Sequence, residues 1–141
     1  MIRIIATVVG SLLLFFTTGF SLIENSTLKV EVTGFKNKSA TKVWVSVFAK
    51  KDFLETSLQT KSAVIVGDKI SVEFDLPPGE YAVSTYHDIN KNNKLDRYFF
   101  GKPKEPYGFS NNVRSLGPPA YDKCKFTINT SSKRISIKLI D

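Results

Sequence analysis

Beyond residue 27 the chain alternates apolar and polar positions with a period of two. Leu28, Val30 and Val32 alternate with Lys29 and Glu31, and Ile70, Val72, Phe74 and Leu76 alternate with Ser71, Glu73 and Asp75. Tyr81, Val83 and Thr85 form another such run, as do Phe126 and Ile128, and Ile135, Ile137 and Leu139. Successive side chains of a strand point to opposite faces, so this pattern predicts half-buried β-strands. In the run from Val43 to Phe48, Val43, Val45 and Val47 are interleaved with Trp44, Ser46 and Phe48. That strand is apolar on both faces and is expected to be central. Val64 and Val66 predict a brief strand, whereas the stretch from Lys50 to Ser62 breaks the pattern. Asp52, Phe53, Leu54 and Leu58 there suggest a single helical turn. Pro77-Pro78-Gly79-Glu80 has the chemistry of a tight turn and predicts a hairpin between the flanking strands. Ser131-Ser132-Lys133 predicts another turn. About seven short strands and no amphipathic helix point to an all-β fold. The expected architecture is a two-sheet antiparallel sandwich, Ig-like or transthyretin/prealbumin-like, with one long loop.

The N-terminus is different in kind. Arg3 precedes a predominantly apolar region from Ile4 to Phe16, followed by small residues that include Gly19 and Ser21. This is the layout of a signal peptide over residues 1–21, leaving residues 22–141 as a single domain. The alternative is an uncleaved anchor, since Ile4 to Ile23 is long enough to span a bilayer. The following Glu24-Asn25 is not a basic stop-transfer cluster, which favours cleavage. Either way the domain is expected outside the cytoplasm, in the periplasm, the extracellular space or at the cell surface, and it meets a membrane only if the segment is retained. The net charge of +7 falls to about +6 without Arg3. The lysines are scattered over many loops rather than gathered in a stripe, which argues against nucleic acid. A single cysteine, Cys124, excludes an intrachain disulfide and a thiolate metal site, so a structural thiol is expected.

No strand pattern survives between residues 88 and 121, too long a stretch for an idle loop in a small domain. Its five aromatics, Tyr98, Phe99, Phe100, Tyr107 and Phe109, are the wrong composition for disorder. Asp88, Asn90, Asn92 and Asp96 fall at relative positions 1, 3, 5 and 9, the spacing by which a tight loop turns oxygens toward calcium. Asn93 stands at position 6, where positive φ is needed, and Lys94 at position 7 offers a backbone carbonyl. Phe99 occupies position 12, so the usual bidentate glutamate is missing. A calcium loop here has to borrow a carboxylate; Glu105 is the first candidate and Asp122 the second. The alternative is an Asx-rich turn that bonds its own backbone and needs no ion. For the aromatics, one expectation is that Tyr98, Phe99 and Phe100 fold back as a satellite core. The other is a weak ligand-binding platform that also includes Tyr107 and Phe109.

The run HDINKNNKLDRYFFGKPKEPYGFSNN, from His87 to Asn112, together with the Leu-Pro-Pro-Gly-x-Tyr segment before it, resembles the bacterial exported domain-of-unknown-function family numbered 2141. The resemblance rests on His87, Asp88, Asn90, Asn92, Leu95 and Asp96. It continues through Phe99, Phe100, Gly101, Pro103 and Glu105 to the Tyr107–Asn111 stretch. It implies a secreted or periplasmic β-sandwich and implies no activity. No catalytic residue is expected. Ser110, His87 and an aspartate contain the residue types of a hydrolytic triad, but His87 and Asp88 are neighbours on a strand and point to opposite faces. The expectation is a non-enzymatic binding or structural module, its Asp/Asn loop stapled by calcium. The alternative is a module that uses its loop aromatics, without a metal, on a cell-envelope polysaccharide or a surface protein.

Overall fold

A computed structural model describes residues 24–36 and 40–141; the N-terminal signal or anchor segment lies outside the described residues. The described residues form eight strands: β1 (Ser26–Thr33), β2 (Lys42–Phe48), β3 (Gln59–Val64), β4 (Lys69–Leu76), β5 (Gly79–Asp88), β6 (Tyr107–Phe109), β7 (Phe126–Ile128) and β8 (Lys133–Lys138). They build a three-stranded sheet in the order β4-β1-β8 and a five-stranded sheet in the order β3-β2-β5-β6, with β7 also on β5. The two sheets face each other as a sandwich, as the alternation predicts. Leu28, Val30 and Val32 from β1 and Val72, Phe74 and Leu76 from β4 meet Val43, Val45 and Val47 from β2 and Val83 from β5 in one core. The doubly apolar β2 is an interior strand, flanked by β3 and β5.

Two features differ from the sequence expectation. Pro77-Pro78 does not close a hairpin. β4 pairs with β1 and β5 with β2, so the turn carries the chain from one sheet to the other. A turn signal states that the chain reverses, not that it stays in one sheet, and period-two alternation is the same in both cases. The second is that β8 runs parallel to β1, because it too arrives by crossing from the larger sheet. Two strands lie mostly where no pattern was legible, β3 overlapping the brief strand expected at Val64 and Val66 only at Val64. β3 is an exposed edge strand of mainly polar residues, and Lys61 and Gln59 donate across to the β4 carbonyls of Glu73 and Asp75. A lysine-bearing edge of this kind resists pairing with other chains. The expected helical turn before it is an irregular turn in which Glu55 and Thr56 both donate to the Asp52 carbonyl. β6 is only three residues long and divides the long loop in two.

β5 organises the end of the molecule that carries the Asp/Asn loop. Its inner edge pairs with β2 over Ala82–Asp88. Its outer edge is shared, with β7 on Gly79–Tyr81 and β6 on Ser84–Tyr86. The gap between β7 and β6 is closed by the buried Ser110, whose Oγ accepts the Val83 N–H at 2.9 Å and donates to the Cys124 carbonyl at 2.6 Å. The short helix α1 (Tyr121–Cys124) brings Tyr121 and Cys124 over Ala82, joined by Phe53, Phe109 and Val113. This second cluster covers part of the outer face of the five-stranded sheet and buries Cys124 completely. Burial pushes that thiol up to about 11, the value of an inert structural cysteine.

Candidate functional site

The Asp/Asn loop leaves the end of β5. His87 and Asp88 are the last residues of that strand and both are buried. The Asp88 carboxylate accepts the backbone N–H of Asn92 on Oδ1 at 3.1 Å and of Asn93 on Oδ2 at 2.9 Å, closing the chain into a tight ring. Lys91 (φ 62°) and Asn93 (φ 60°) take the left-handed conformation that this curvature requires, and asparagine adopts it readily. The Asn90 and Asn92 carbonyl oxygens accept the N–H groups of Asn92 and Lys94, the pattern of Asx turns. Their amide N–H groups both donate to Asp96 Oδ2 at 2.7 Å. Those bonds hold the Asp96 carboxyl below its usual range.

A second segment seals the ring. The backbone N–H of His87 donates to the Pro106 carbonyl, and that of Lys104 to the Asp96 carbonyl. Glu105 is thereby fixed between Asp88 and Asp96. Its Oε2 accepts the Asp96 N–H at 3.3 Å, while Oε1 is buried and has no hydrogen-bond partner. Burial raises the Glu105 carboxyl above its usual value; the N–H groups of Asp96 and Ile89 oppose this, and the charges of Asp88 and Asp96 add to it. The same acidic ring is felt by Tyr86 on the adjoining strand. Burial first, and then Asp88, Glu105 and Asp96, push its hydroxyl up to about 12. Asp122, the second candidate for a borrowed carboxylate, is on α1, where it pairs with Lys50 and Lys125. Among the described residues no three His, Cys, Asp or Glu side chains form a closed ligand cluster. A cation at the ring would therefore need amide and backbone oxygens as well.

His87 and Ser110 do not meet. His87 Nε2 shares a 2.6 Å hydrogen bond with Thr41 Oγ1, and Phe35 packs edge-on against the ring. Burial lowers the imidazole's pKa, with Asp88 opposing. Ser110 bonds the backbone of Val83, four residues away along β5, which is about 13 Å. Both side chains are wholly buried. Neither presents a nucleophile or a base to a substrate.

The aromatics divide. Phe109 joins the cluster over Ala82, and Tyr107 pairs with Tyr86 beside it. Tyr98, Phe99 and Phe100 do not fold back as a satellite core: they are 46%, 101% and 62% exposed. The reason is a miniature ladder, closed by an Arg97–Pro103 bridge and by Tyr98 N–H donating to the Lys102 carbonyl, which carries them outward at its tip. Tyr98 and Phe100 stack on each other with centroids 5.3 Å apart and planes 1° from parallel, so they cover one another's faces instead of lying side by side.

Residues 30–136, which contain the whole Asp/Asn ring, Glu105 and Ser110, match the family described as "Uncharacterized protein conserved in bacteria (DUF2141)". The chain belongs to this family. No curated protein and no solved structure shows significant similarity to it. The DUF2141 match begins within β1 and ends within β8, so the family unit is the sandwich together with its ring. Sequence spacing pointed to the Asp88–Asp96 ring and to Glu105. It did not point to Thr41, which meets His87 from across the chain, or to Ser110 as the clamp on β5; both contacts join residues that no local pattern connects.

Proposed function

We propose that this DUF2141 domain is an exported, non-enzymatic binding module whose Asp88–Asp96 ring is stapled by a calcium ion. The observation that carries the reading is Glu105. A buried carboxylate with one oxygen unpartnered, facing two further carboxylates, is an arrangement that an Asx turn does not require. A hard divalent cation satisfies that oxygen and removes the repulsion among the three acids. Asp88, Asp96 and Glu105 supply charge, and Asn90, Asn92 and the Lys94 carbonyl supply neutral oxygens. The Asn90 and Asn92 side-chain oxygens each accept one backbone N–H and keep a second lone pair for the ion. Few carboxylates and a partly exposed ring fit the weak affinity of extracellular modules. The occlusion of His87 and Ser110 supports a role without catalysis.

The test is a thermal melt of the purified protein in chelator and across a calcium titration. At a hundredfold excess over the dissociation constant, native-state binding adds about 2.7 kcal/mol. The informative variant is Glu105→Gln, which keeps an acceptor for the Asp96 N–H and removes only the charge. It should melt no lower than wild type in chelator and lose most of the calcium response. Asp88→Ala and Asp96→Ala should abolish that response. A wild-type midpoint that ignores millimolar calcium would leave the loop an Asx turn and end the cation reading. Intact mass of the protein recovered from a bacterial host tests export separately: cleavage after Ser21 is the expected result, and a retained N-terminus in the recovered protein overturns it.

A further inference from the structure

Part of the five-stranded sheet's outer face, beside the α1 cluster, is the floor of a groove of about 970 Å³. Tyr86, Tyr107 and Phe109 line the floor. Its rim comes from two separate segments: Arg97 and Lys102 lie on the ladder that follows the Asp/Asn ring, and Arg114 lies on the loop after β6. All three cations are exposed, and none has a carboxylate partner among the described residues. Arg97 donates only to the Gly101 carbonyl. The acidic side chain at the groove, Asp141, is held by Lys36 at 2.6 Å.

We infer that this groove binds a short stretch of an acidic glycan, with sugar rings lying on the floor aromatics and uronate carboxylates meeting Arg97, Lys102 and Arg114. The inference deepens the binding-module reading above and rests on it. Its volume is at the upper end of small-ligand sites, which suits an oligomer rather than a single sugar. Half-buried tyrosines offer an apolar face with a polar hydroxyl, the combination that a ring with both C–H and O–H surfaces needs. Guanidinium groups bind carboxylates through paired donors. A peptide fits less well. The groove lies on the face of a sheet whose β2, β5 and β6 backbones are already paired, so an extended chain finds no ladder to join. The groove also explains why the ring matters. Leu95 and Arg97, which line it, flank Asp96, so ordering the ring fixes one wall.

The experiment is titration calorimetry of the purified protein in calcium with a hyaluronan hexasaccharide, which alternates uronate and acetamido sugars. Its uncharged comparator is the N-acetylglucosamine hexamer. The hexasaccharide should bind and the neutral hexamer should bind at least tenfold more weakly. The double variant Arg114→Ala/Lys102→Ala should lose at least tenfold in affinity. Lys29→Ala/Lys69→Ala makes the same charge change on the other sheet and should lose less than threefold. Equal losses in the two doubles would reduce the effect to net charge and overturn the inference. So would equal binding of both hexamers, no binding of either, or association with phosphatidylglycerol vesicles that the hexasaccharide does not compete. The calcium melt run on the same samples separates failures: a midpoint that rises with calcium while no glycan binds removes the groove and leaves the staple.

Discussion

Ser110→Ala removes one oxygen and tests how the larger sheet is held together. β5 changes partner along its outer edge, from β7 at Tyr81 to β6 at Ser84. The Val83 N–H lies in the gap, and a strand edge left unpaired inside the protein is costly. Ser110 Oγ fills the place of a missing strand, accepting from Val83 at 2.9 Å and donating to Cys124 at 2.6 Å. The side chain is completely buried, so water does not replace it. Alanine leaves one N–H and one carbonyl without partners, each worth about 1–3 kcal/mol. Allowing for some relaxation, the cost is about 2–5 kcal/mol, and the melting midpoint should fall by roughly 8–20 °C in a domain of this size. Urea denaturation followed by Trp44 fluorescence measures it. Asn111→Gly is the comparison, because glycine keeps the left-handed backbone of that position (φ 61°) without strain. That amide also bonds two carbonyls, of Lys123 and Lys125, but in an exposed position where water substitutes, so its loss should cost below about 1 kcal/mol. If Ser110→Ala costs under about 1 kcal/mol, or no more than Asn111→Gly, the claim that its hydroxyl bridges the two half-edges is wrong.

Three further outcomes follow from buried contacts. Thr41→Val keeps the shape of the side chain but strips His87 Nε2 of its partner; with Nδ1 already unpartnered, the variant should lose about 1–3 kcal/mol in urea, and a loss below 0.5 would show that the bond contributes little. Gly108→Ala places a Cβ 2.6 Å from Ile137 Cγ2, an overpacking cost of about 1–3 kcal/mol; combined with Ile137→Ala it should be less destabilised than the two single losses together, and strict additivity would refute the clash. Cys124, its thiol pushed up to about 11, should resist iodoacetamide at pH 8 in the native protein and react at once in denaturant. Since its native pKa lies above the unfolded one, its contribution is whole below the ordinary thiol value and disappears as pH rises toward about 11. Stability relative to Cys124→Ala should therefore fall across that alkaline window, and a constant difference would contradict the burial.

How much of this was legible depended on whether the determining contacts were local. Strand periods are local, so the sandwich and the interior place of β2 could be read from Val43 to Phe48. The partner of a strand is not local: Pro77-Pro78 reads alike for a hairpin and for a crossing, and only the pairing of β4 with β1 decides between them. Edge strand β3 carries no core-facing run of apolar residues, so the brief strand expected at Val64 and Val66 caught only its last residue. The ring lies between the two cases. Its spacing is visible over nine residues, because a tight loop must turn alternate side chains inward. The missing acid at its twelfth position directed attention to Glu105, but what brings Glu105 to the ring is the His87 N–H on the Pro106 carbonyl, a tertiary bond. The groove is the extreme case, since its lining runs from Ser46 on β2 to Asp141 after β8 and no single segment carries its signature. In this chain the scaffold and the ring are written in short-range pattern, while the groove exists only once β2, β5 and β6 lie side by side. A change confined to the ring should accordingly alter the groove through one wall, leaving the floor aromatics, which the sheet alone positions, where they are.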